Sequence, residues 1–228
     1  MIDNDCLEKI KDIVSEEVPE SDFSLFKSIG IFGSAALPFI RKPRDADVHC
    51  FISNDVDFAT YHNAPFRLRE RLRNEVSGIF ANVAIHREDE YVQKDKPQLY
   101  ADARKRHQLS IIRTYAYQFS PSLIINLHGD AFQNLGGIDV IGKDRDVYLK
   151  QLMWELESGR VGAWVKAHGR TKGLYHFLCG IYMVENGSHD LTDEQIANVN
   201  IAHDCADGWE ELYEWTKDEL RGLTDEKK

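Results

Sequence analysis

The sequence predicts an α/β fold, with a mixed sheet and helices in the N-terminal part and a helical region in the C-terminal part. Strand-like apolar segments alternate with helical patterns up to about residue 143, an order typical of a mixed α/β sheet. From Asp144 onward strand signals vanish and helical periodicity dominates. We therefore expect two domains, residues 1–143 and residues 144–228.

The first elements follow from the spacing of apolar residues. Such residues recur at helical spacing over residues 5–17, and Pro19 ends this predicted helix. Two apolar stretches, residues 24–32 and 45–53, are predicted as strands and enclose a short helical turn at residues 35–40.

The alternation continues through the middle of the chain. Pro65 is expected to open a helix that runs to about Val76, because proline is favoured in a first helical turn. A third strand is predicted at residues 77–86 and a fourth at residues 122–128, separated by a long helix over residues 98–119.

The C-terminal region is predicted to consist of helices. Residues 147–156 and 161–185 have helical patterns, although glycines interrupt the second. A capping box at residues 192–195 predicts the start of another helix. Residues 209–220 close the chain with aromatic residues that we expect in the core.

Composition narrows the classes of function. The chain has 228 residues, 43% of them hydrophobic, which is typical of a globular protein with a sizeable core. A net charge of −10 argues against a protein that coats nucleic acid non-specifically. No apolar stretch reaches the length of a membrane span. Four scattered cysteines are interpreted as free thiols in a reducing compartment, so we expect a cytoplasmic protein.

Two carboxylates on the second predicted strand form the most informative motif. Residues i and i+2 of a strand share a face, so Asp45 and Asp47 project together with their Cα atoms roughly 6.5 Å apart. Upstream, Gly33 permits close approach of backbone and ligand, and Ser34 places a hydroxyl where N–H groups suit a phosphate. Solvated aspartates after a loop are the simpler interpretation, but the segment after Asp47 has the pattern of a buried strand.

This motif resembles the signature of the DNA polymerase beta-like nucleotidyltransferase superfamily. The signature is an apolar residue, Gly, Gly or Ser, a variable spacer, and Asp-apolar-Asp/Glu-apolar, and residues 31–34 and 45–48 match it. The resemblance is specific over residues 29–52 and implies a mixed sheet of the nucleotidyltransferase type, with a catalytic domain at residues 1–143. It also implies that the protein binds a nucleoside triphosphate such as ATP.

The resemblance implies two-metal nucleotidyl transfer. Asp45 and Asp47 would be catalytic and would bind two Mg²⁺ ions, with Mn²⁺ as an alternative, while Gly33 and Ser34 contact a phosphate. A nucleoside monophosphate would pass to an acceptor hydroxyl with release of pyrophosphate. The acceptor stays open among RNA, a protein and a small molecule, and the oligomeric state stays open as well.

The third carboxylate of the family is harder to place. The resemblance to the family implies a third carboxylate on the third strand, where this chain has Asn82 and Ala84. Asp139 lies between apolar neighbours, Asp130 follows the fourth predicted strand, and Glu88 lies just past the third. Asp139 and Asp130 rank equally as the additional catalytic residue and Glu88 ranks third. If none of them converges on the pair, a binding-only member of the fold is the alternative.

Basic residues suggest where phosphates bind. Lys166, Arg170 and Lys172 concentrate positive charge early in the helical region of an acidic chain, and we expect them to contact phosphate at a cleft between the domains. The arginines at residues 67–73 spread around a predicted helix instead and are interpreted as a solvated face paired with Glu70 and Glu75.

A phosphohydrolase of the HD type is the rival from another class. Such enzymes bind metal through a His-Asp dyad, and the chain contains His189-Asp190 and His203-Asp204, with His176 and Asp207 as further ligands. The spacing is compressed, and a residue such as His203 is more often packed or capped on a helix.

Overall fold

The structure of the protein is a computed structural model, which describes residues 2–18, 25–53, 55, 58–87, 121–130, 145–157, 174–204 and 209–225. The chain divides into two compact units. The described residues of the first unit lie between residues 2 and 130, and those of the second between residues 145 and 225. The expected domain boundary at residue 143 stays a prediction.

A four-stranded mixed sheet forms the centre of the first unit. Its strands are β1 (Phe26–Phe32), β2 (Asp45–Ile52), β3 (Phe80–Arg87) and β4 (Ile125–Gly129), arranged in the order β3-β2-β1-β4. β1 pairs antiparallel with both β2 and β4, whereas β2 and β3 are parallel. This sheet, with the helices that follow it, confirms the predicted fold class.

Successive side chains of β2 lie on opposite faces of the sheet. Ala46 and Val48 are buried on one face of the sheet, and the alternating Asp45, Asp47 and His49 lie on the other. The buried face packs against α1 (Asn4–Glu17) and α2 (Phe58–Glu75), through apolar residues that include Ile10, Ile13, Val14, Leu68 and Leu72. Each such side chain contributes about 1.5–3 kcal/mol by its burial. The helices therefore hold one face of the sheet and leave the carboxylates on the other.

Ion pairs join α1 to α2 at the surface. The Arg71 guanidinium lies 2.8 Å from a Glu16 oxygen and 3.0 Å from a Glu17 oxygen, and it also pairs with Glu75 of its own helix. Arg67 pairs with Glu17 as well. The predicted pairing with Glu75 is confirmed, and α1 supplies partners that helical periodicity alone did not indicate.

The start of α2 differs from the prediction. The helix begins at Phe58, seven residues before Pro65, so the expectation that the proline opens it was wrong. Inside a helix a proline removes one backbone hydrogen bond and its ring crowds the carbonyl of residue i−4, at a cost of about 3 kcal/mol. The helix nevertheless passes through this position, because the burial of residues such as Leu68 and Leu72 later in α2 offsets this cost.

Helices make up the described part of the second unit. They are α3 (Arg145–Glu157), α4 (Leu174–Asn186), α5 (Asp193–Asp204) and α6 (Trp209–Asp225). The Tyr213 hydroxyl of α6 donates a hydrogen bond to the Leu156 carbonyl of α3. In the described parts of the chain, no helix is both long and apolar enough to cross a membrane. The predicted helix at residues 98–119 lies outside the described residues.

Candidate functional site

The turn after β1 brings backbone against a carboxylate of β2. Residues Gly33–Ala35 form a single 3-10 turn, and Gly33 has a φ of +70°. A Cβ atom at Gly33 would lie 3.0 Å from Oδ2 of Asp47. A side chain here would strain the backbone and displace the carboxylate, because left-handed φ angles and contacts this short are both unfavourable. Glycine therefore lets the turn and Asp47 adjoin each other.

The two aspartates share the face of the sheet opposite the one that packs against α1 and α2. Asp45 begins β2, and Asp47 pairs across the antiparallel ladder with Phe32, the last residue of β1. Both side chains are partly exposed, whereas the intervening Ala46 is fully buried. The carboxylates can therefore meet a solute while their strand stays anchored in the core.

The hydroxyl of Ser34 lies buried in the same turn. Ser34 is 3% exposed, and its Oγ has no hydrogen-bond partner among the described residues. A buried polar group without a partner costs about 1–3 kcal/mol, and in folded proteins such a group has a reason, for example a catalytic role or a bound ion or water. A phosphate oxygen at this turn would be a suitable acceptor for the Ser34 hydroxyl.

His49 lies next along the same face of β2. Its ring packs against Phe32 with 4.4 Å between the ring centroids. Burial lowers the pKa of His49 to about 4, so the ring is neutral at physiological pH. His49 was not among the predicted site residues, although the alternation of residues 45, 47 and 49 was a signal that could have placed it there.

β3 adjoins β2, the strand that carries Asp45 and Asp47, on the side away from β1. In the parallel ladder Asn82 is the partner of Asp47, and Phe80 is the partner of Asp45. Asn82 is exposed, and Phe80 is 57% exposed. A carboxamide therefore lies where a third carboxylate on β3 would adjoin the pair.

Asp130, a predicted catalytic residue, does not approach the pair. Gly129 pairs with Ser28 at the start of β1, whereas Asp47 pairs with Phe32 at its end. These two points of β1 are about 13 Å apart along the strand, beyond the reach of an aspartate side chain. The arrangement thus separates Asp130 from Asp45 and Asp47, and the other two candidates, Asp139 and Glu88, lie outside the described residues.

The predicted phosphate-binding residues Lys166, Arg170 and Lys172 also lie outside the described residues.

The histidine expected to bind metal in the HD-type alternative is packed in the protein. His203 of α5 is buried, its Nδ1 lies 2.8 Å from an Asp204 oxygen, and its ring packs edge-to-face on Tyr175. This is the geometry of a packed histidine held by its neighbour. Within the described residues, no group of three or more His, Cys, Asp or Glu side chains is arranged to hold a metal ion.

The chemistry of Asp45 and Asp47 nevertheless fits one kind of metal. Carboxylate oxygens are hard ligands, and Mg²⁺ is commonly held by one or two carboxylates together with the phosphates of a substrate and water. The carboxylates, the buried Ser34 hydroxyl and the glycine turn provide these features in one place. The site is therefore chemically suited to a Mg²⁺–triphosphate complex.

Comparison with solved structures identifies the architecture. The chain superposes on a spectinomycin adenyltransferase, AAD(9) from Enterococcus faecialis, whose structure contains ATP and spectinomycin, with a TM-score of 0.55 over 95% of this chain and 98% of that one. The chain has a nucleotidyltransferase-like fold. The two sequences are 14% identical, so the nucleotidyltransferase-like fold is what this similarity establishes. No family model matches the sequence, and no curated protein matches it either.

Proposed function

We propose that the protein is a Mg²⁺-dependent nucleotidyltransferase of the DNA polymerase beta-like superfamily. It transfers a nucleoside monophosphate from a nucleoside triphosphate such as ATP to an acceptor hydroxyl and releases pyrophosphate. The observation that carries this proposal is the close approach of the Gly33 turn to Asp47, with Asp45 on the same face. A glycine turn beside paired carboxylates suits a metal-bound triphosphate.

Each residue of the motif has a proposed role. Asp45 and Asp47 would hold the two divalent cations, which when bound would offset charge on the phosphates and lower the pKa of an attacking hydroxyl. The Ser34 hydroxyl and nearby backbone N–H groups bind a β- or γ-phosphate oxygen. Lys166, Arg170 and Lys172 are proposed as counter-charges for the triphosphate. Asp139 stays the proposed third carboxylate.

A small hydroxylated molecule is the proposed acceptor. The adenyltransferase with the similar fold was solved with ATP and spectinomycin, and the two chains match over nearly their whole lengths. The net charge of −10 disfavours the binding of a long polyanion such as RNA as the acceptor. Cys6, Cys50 and Cys179 are free and buried, which supports a cytoplasmic site of action.

Pyrophosphate release tests the proposal. The protein is incubated with each nucleoside triphosphate and Mg²⁺ over a panel of aminoglycosides, other polyhydroxylated small molecules, RNA and proteins. At least one combination should release pyrophosphate, and Asp47→Asn should lower the rate by about 100-fold or more. Asp130→Asn is the matched control, because Asp130 is exposed at the other end of β1, and its rate should stay unchanged.

A binding-only member of the fold is the second candidate, and the Asn82 carboxamide beside Asp47 favours it. Measurements of nucleotide binding and of pyrophosphate release distinguish a transferase from a binding-only protein. A binding-only protein retains affinity for Mg²⁺ and a non-hydrolysable ATP analogue, loses it in Asp47→Asn, and releases no pyrophosphate with any acceptor. Absence of both binding and release would contradict both candidates.

A further inference from the structure

Two residues of β3 adjoin the carboxylates on the side away from the glycine turn. Phe80 is the register partner of Asp45 in the parallel ladder. Asn82 is the register partner of Asp47, and Cα atoms paired in this way lie about 4.8 Å apart. The residues that alternate with them on β3 are buried in the core with α1 and α2. Phe80 and Asn82 therefore project from the same face of the sheet as the two aspartates.

Phe80 exposes a large apolar ring beside these charged groups. The residue is 57% exposed. The guanidinium carbon of Arg73, in the last turn of α2, lies 5.5 Å from the centroid of the Phe80 ring. Attraction between the cation and the π electrons restrains the ring from one side, while more than half of the residue stays accessible. A restrained and accessible ring suits stacking, because little conformational freedom is lost when a ligand packs on it.

Nucleotidyl transfer has a defined stereochemistry, in which the attacking and leaving oxygens are roughly in line through the phosphorus. The glycine turn, with its proposed site for a β- or γ-phosphate, follows β1, and β1 and β3 lie on opposite sides of β2. With the α-phosphate over the aspartates of β2, pyrophosphate departs towards the turn. The attacking hydroxyl then enters from the side of Phe80 and Asn82.

We propose that Phe80 and Asn82 form the acceptor subsite, in which the Phe80 ring stacks on the C–H face of a hydroxylated ring and the Asn82 carboxamide hydrogen-bonds a neighbouring hydroxyl group of the acceptor. This rests on the proposed function and names the residues that select its acceptor. In transfer, the acceptor oxygen bonds to the α-phosphorus, the bond from that phosphorus to the bridging oxygen of pyrophosphate breaks, and the hydroxyl proton passes to solvent. Phe80 and Asn82 position the acceptor and take no proton.

Acceptor titrations of pyrophosphate release, at saturating ATP and Mg²⁺, test this subsite in the whole protein. The acceptors are spectinomycin, kanamycin and myo-inositol, with the acyclic polyol sorbitol, an RNA oligonucleotide and a protein for comparison. The wild type should use a cyclic polyol best. Phe80→Ala should raise the KM for that acceptor about tenfold and leave the KM for ATP unchanged. Phe80→Tyr keeps the ring and should retain the KM of the wild type, and Asn82→Ala should raise the acceptor KM about fivefold.

Phe66→Ala is the matched control. Phe66 is 60% exposed on α2, the helix that packs on the opposite face of the sheet, so its removal should change neither KM. An unchanged acceptor KM in Phe80→Ala, a raised KM for ATP in its place, or an equal effect in Phe66→Ala would overturn the inference. Pyrophosphate release only with sorbitol, RNA or protein would overturn the inference and leave the transferase proposal intact. No release with any acceptor would contradict the proposed function itself.

Discussion

The carbonyl oxygen of Lys27 lies 1.9 Å from the position that a Cβ atom would occupy on Gly129. Gly129 ends β4, has a φ of +69°, and is the register partner of Ser28 on β1. The neighbouring contact is backbone, which cannot move aside as a flexible side chain would. The pairing of β4 with β1 therefore depends on a residue without a side chain at position 129.

We expect Gly129→Ala to destabilise the protein by about 2–4 kcal/mol, from left-handed strain plus overpacking. Urea unfolding monitored by circular dichroism would measure this change. Gly187→Ala is the control, because Gly187 has a φ of +63° but open space around its Cβ position. Gly187→Ala should lose only about 1 kcal/mol. Equal losses in the two variants would contradict the role assigned to the Lys27 contact.

Gly33→Ala should lower the affinity for nucleotide markedly and the free energy of unfolding only slightly. The added methyl group would meet Oδ2 of Asp47 at 3.0 Å, so the carboxylate must move away from the turn. We expect the affinity for Mg²⁺ and ATP to fall about tenfold, with a stability loss close to that of Gly187→Ala. Calorimetric titration gives the affinity, and unaltered binding would argue against a site at this turn.

Ser34→Ala should separate stability from ligand affinity. The hydroxyl is buried without a partner among the described residues, so its removal should leave the free energy of unfolding unchanged or raise it by up to about 1 kcal/mol. Nucleotide affinity should nevertheless drop about tenfold, through the loss of a hydrogen bond to a charged phosphate.

Thr216→Val is the contrasting variant for Ser34→Ala. The Thr216 hydroxyl donates to the Leu212 carbonyl at 2.7 Å within α6, so its removal should cost about 1 kcal/mol of stability. Nucleotide affinity should not change in this variant. A loss of stability in Ser34→Ala, with affinity intact, would refute the ligand role of Ser34.

The ion pair between Arg71 and Glu75 predicts a pH dependence of stability. Hydrogen bonds from Arg71, with a further one from Lys9, lower the pKa of Glu75 from the usual 4.5 to about 2. Because the folded pKa is the lower one, the stabilisation is present above pH 4.5 and is lost as the pH falls towards 2. Unfolding at pH 5 and pH 3 should show a smaller pH effect in Glu75→Gln than in Glu211→Gln, a change at an exposed residue of α6.

Local patterns were sufficient to predict several parts of this structure. The alternation of Asp45, Ala46 and Asp47 placed both carboxylates on one face of a strand, because β geometry has a period of two. The capping box of α5 forms as predicted, since the Thr192 N–H donates to Gln195 Oε1 at 2.9 Å and the Gln195 N–H to Thr192 Oγ1 at 3.2 Å. Both features depend on residues within a few positions of one another.

Features set by distant pairing could not be predicted in this way. Asn82 adjoins Asp47 only because β2 and β3 are parallel in one particular register, and a shift of one residue would turn its side chain into the core. Gly129 has no local mark of its close contact with Lys27, because that contact arises from the pairing of β4 with β1. Asp130 was misplaced for the same reason, since the direction of β4 carries it away from the carboxylates.

The central position of β1 also determines when the site can form during folding. Hydrogen bonds hold β1 to β2 on one side and to β4, some hundred residues later in the chain, on the other. Such non-local pairing is slow, because loop-closure entropy is lost before the contacts form. A ribosome-bound chain that has emerged only as far as β3 contains every residue of the glycine turn and both aspartates but lacks β4, which pairs with β1 on the side away from β2. The proposed competence to bind nucleotide would therefore be acquired late in synthesis.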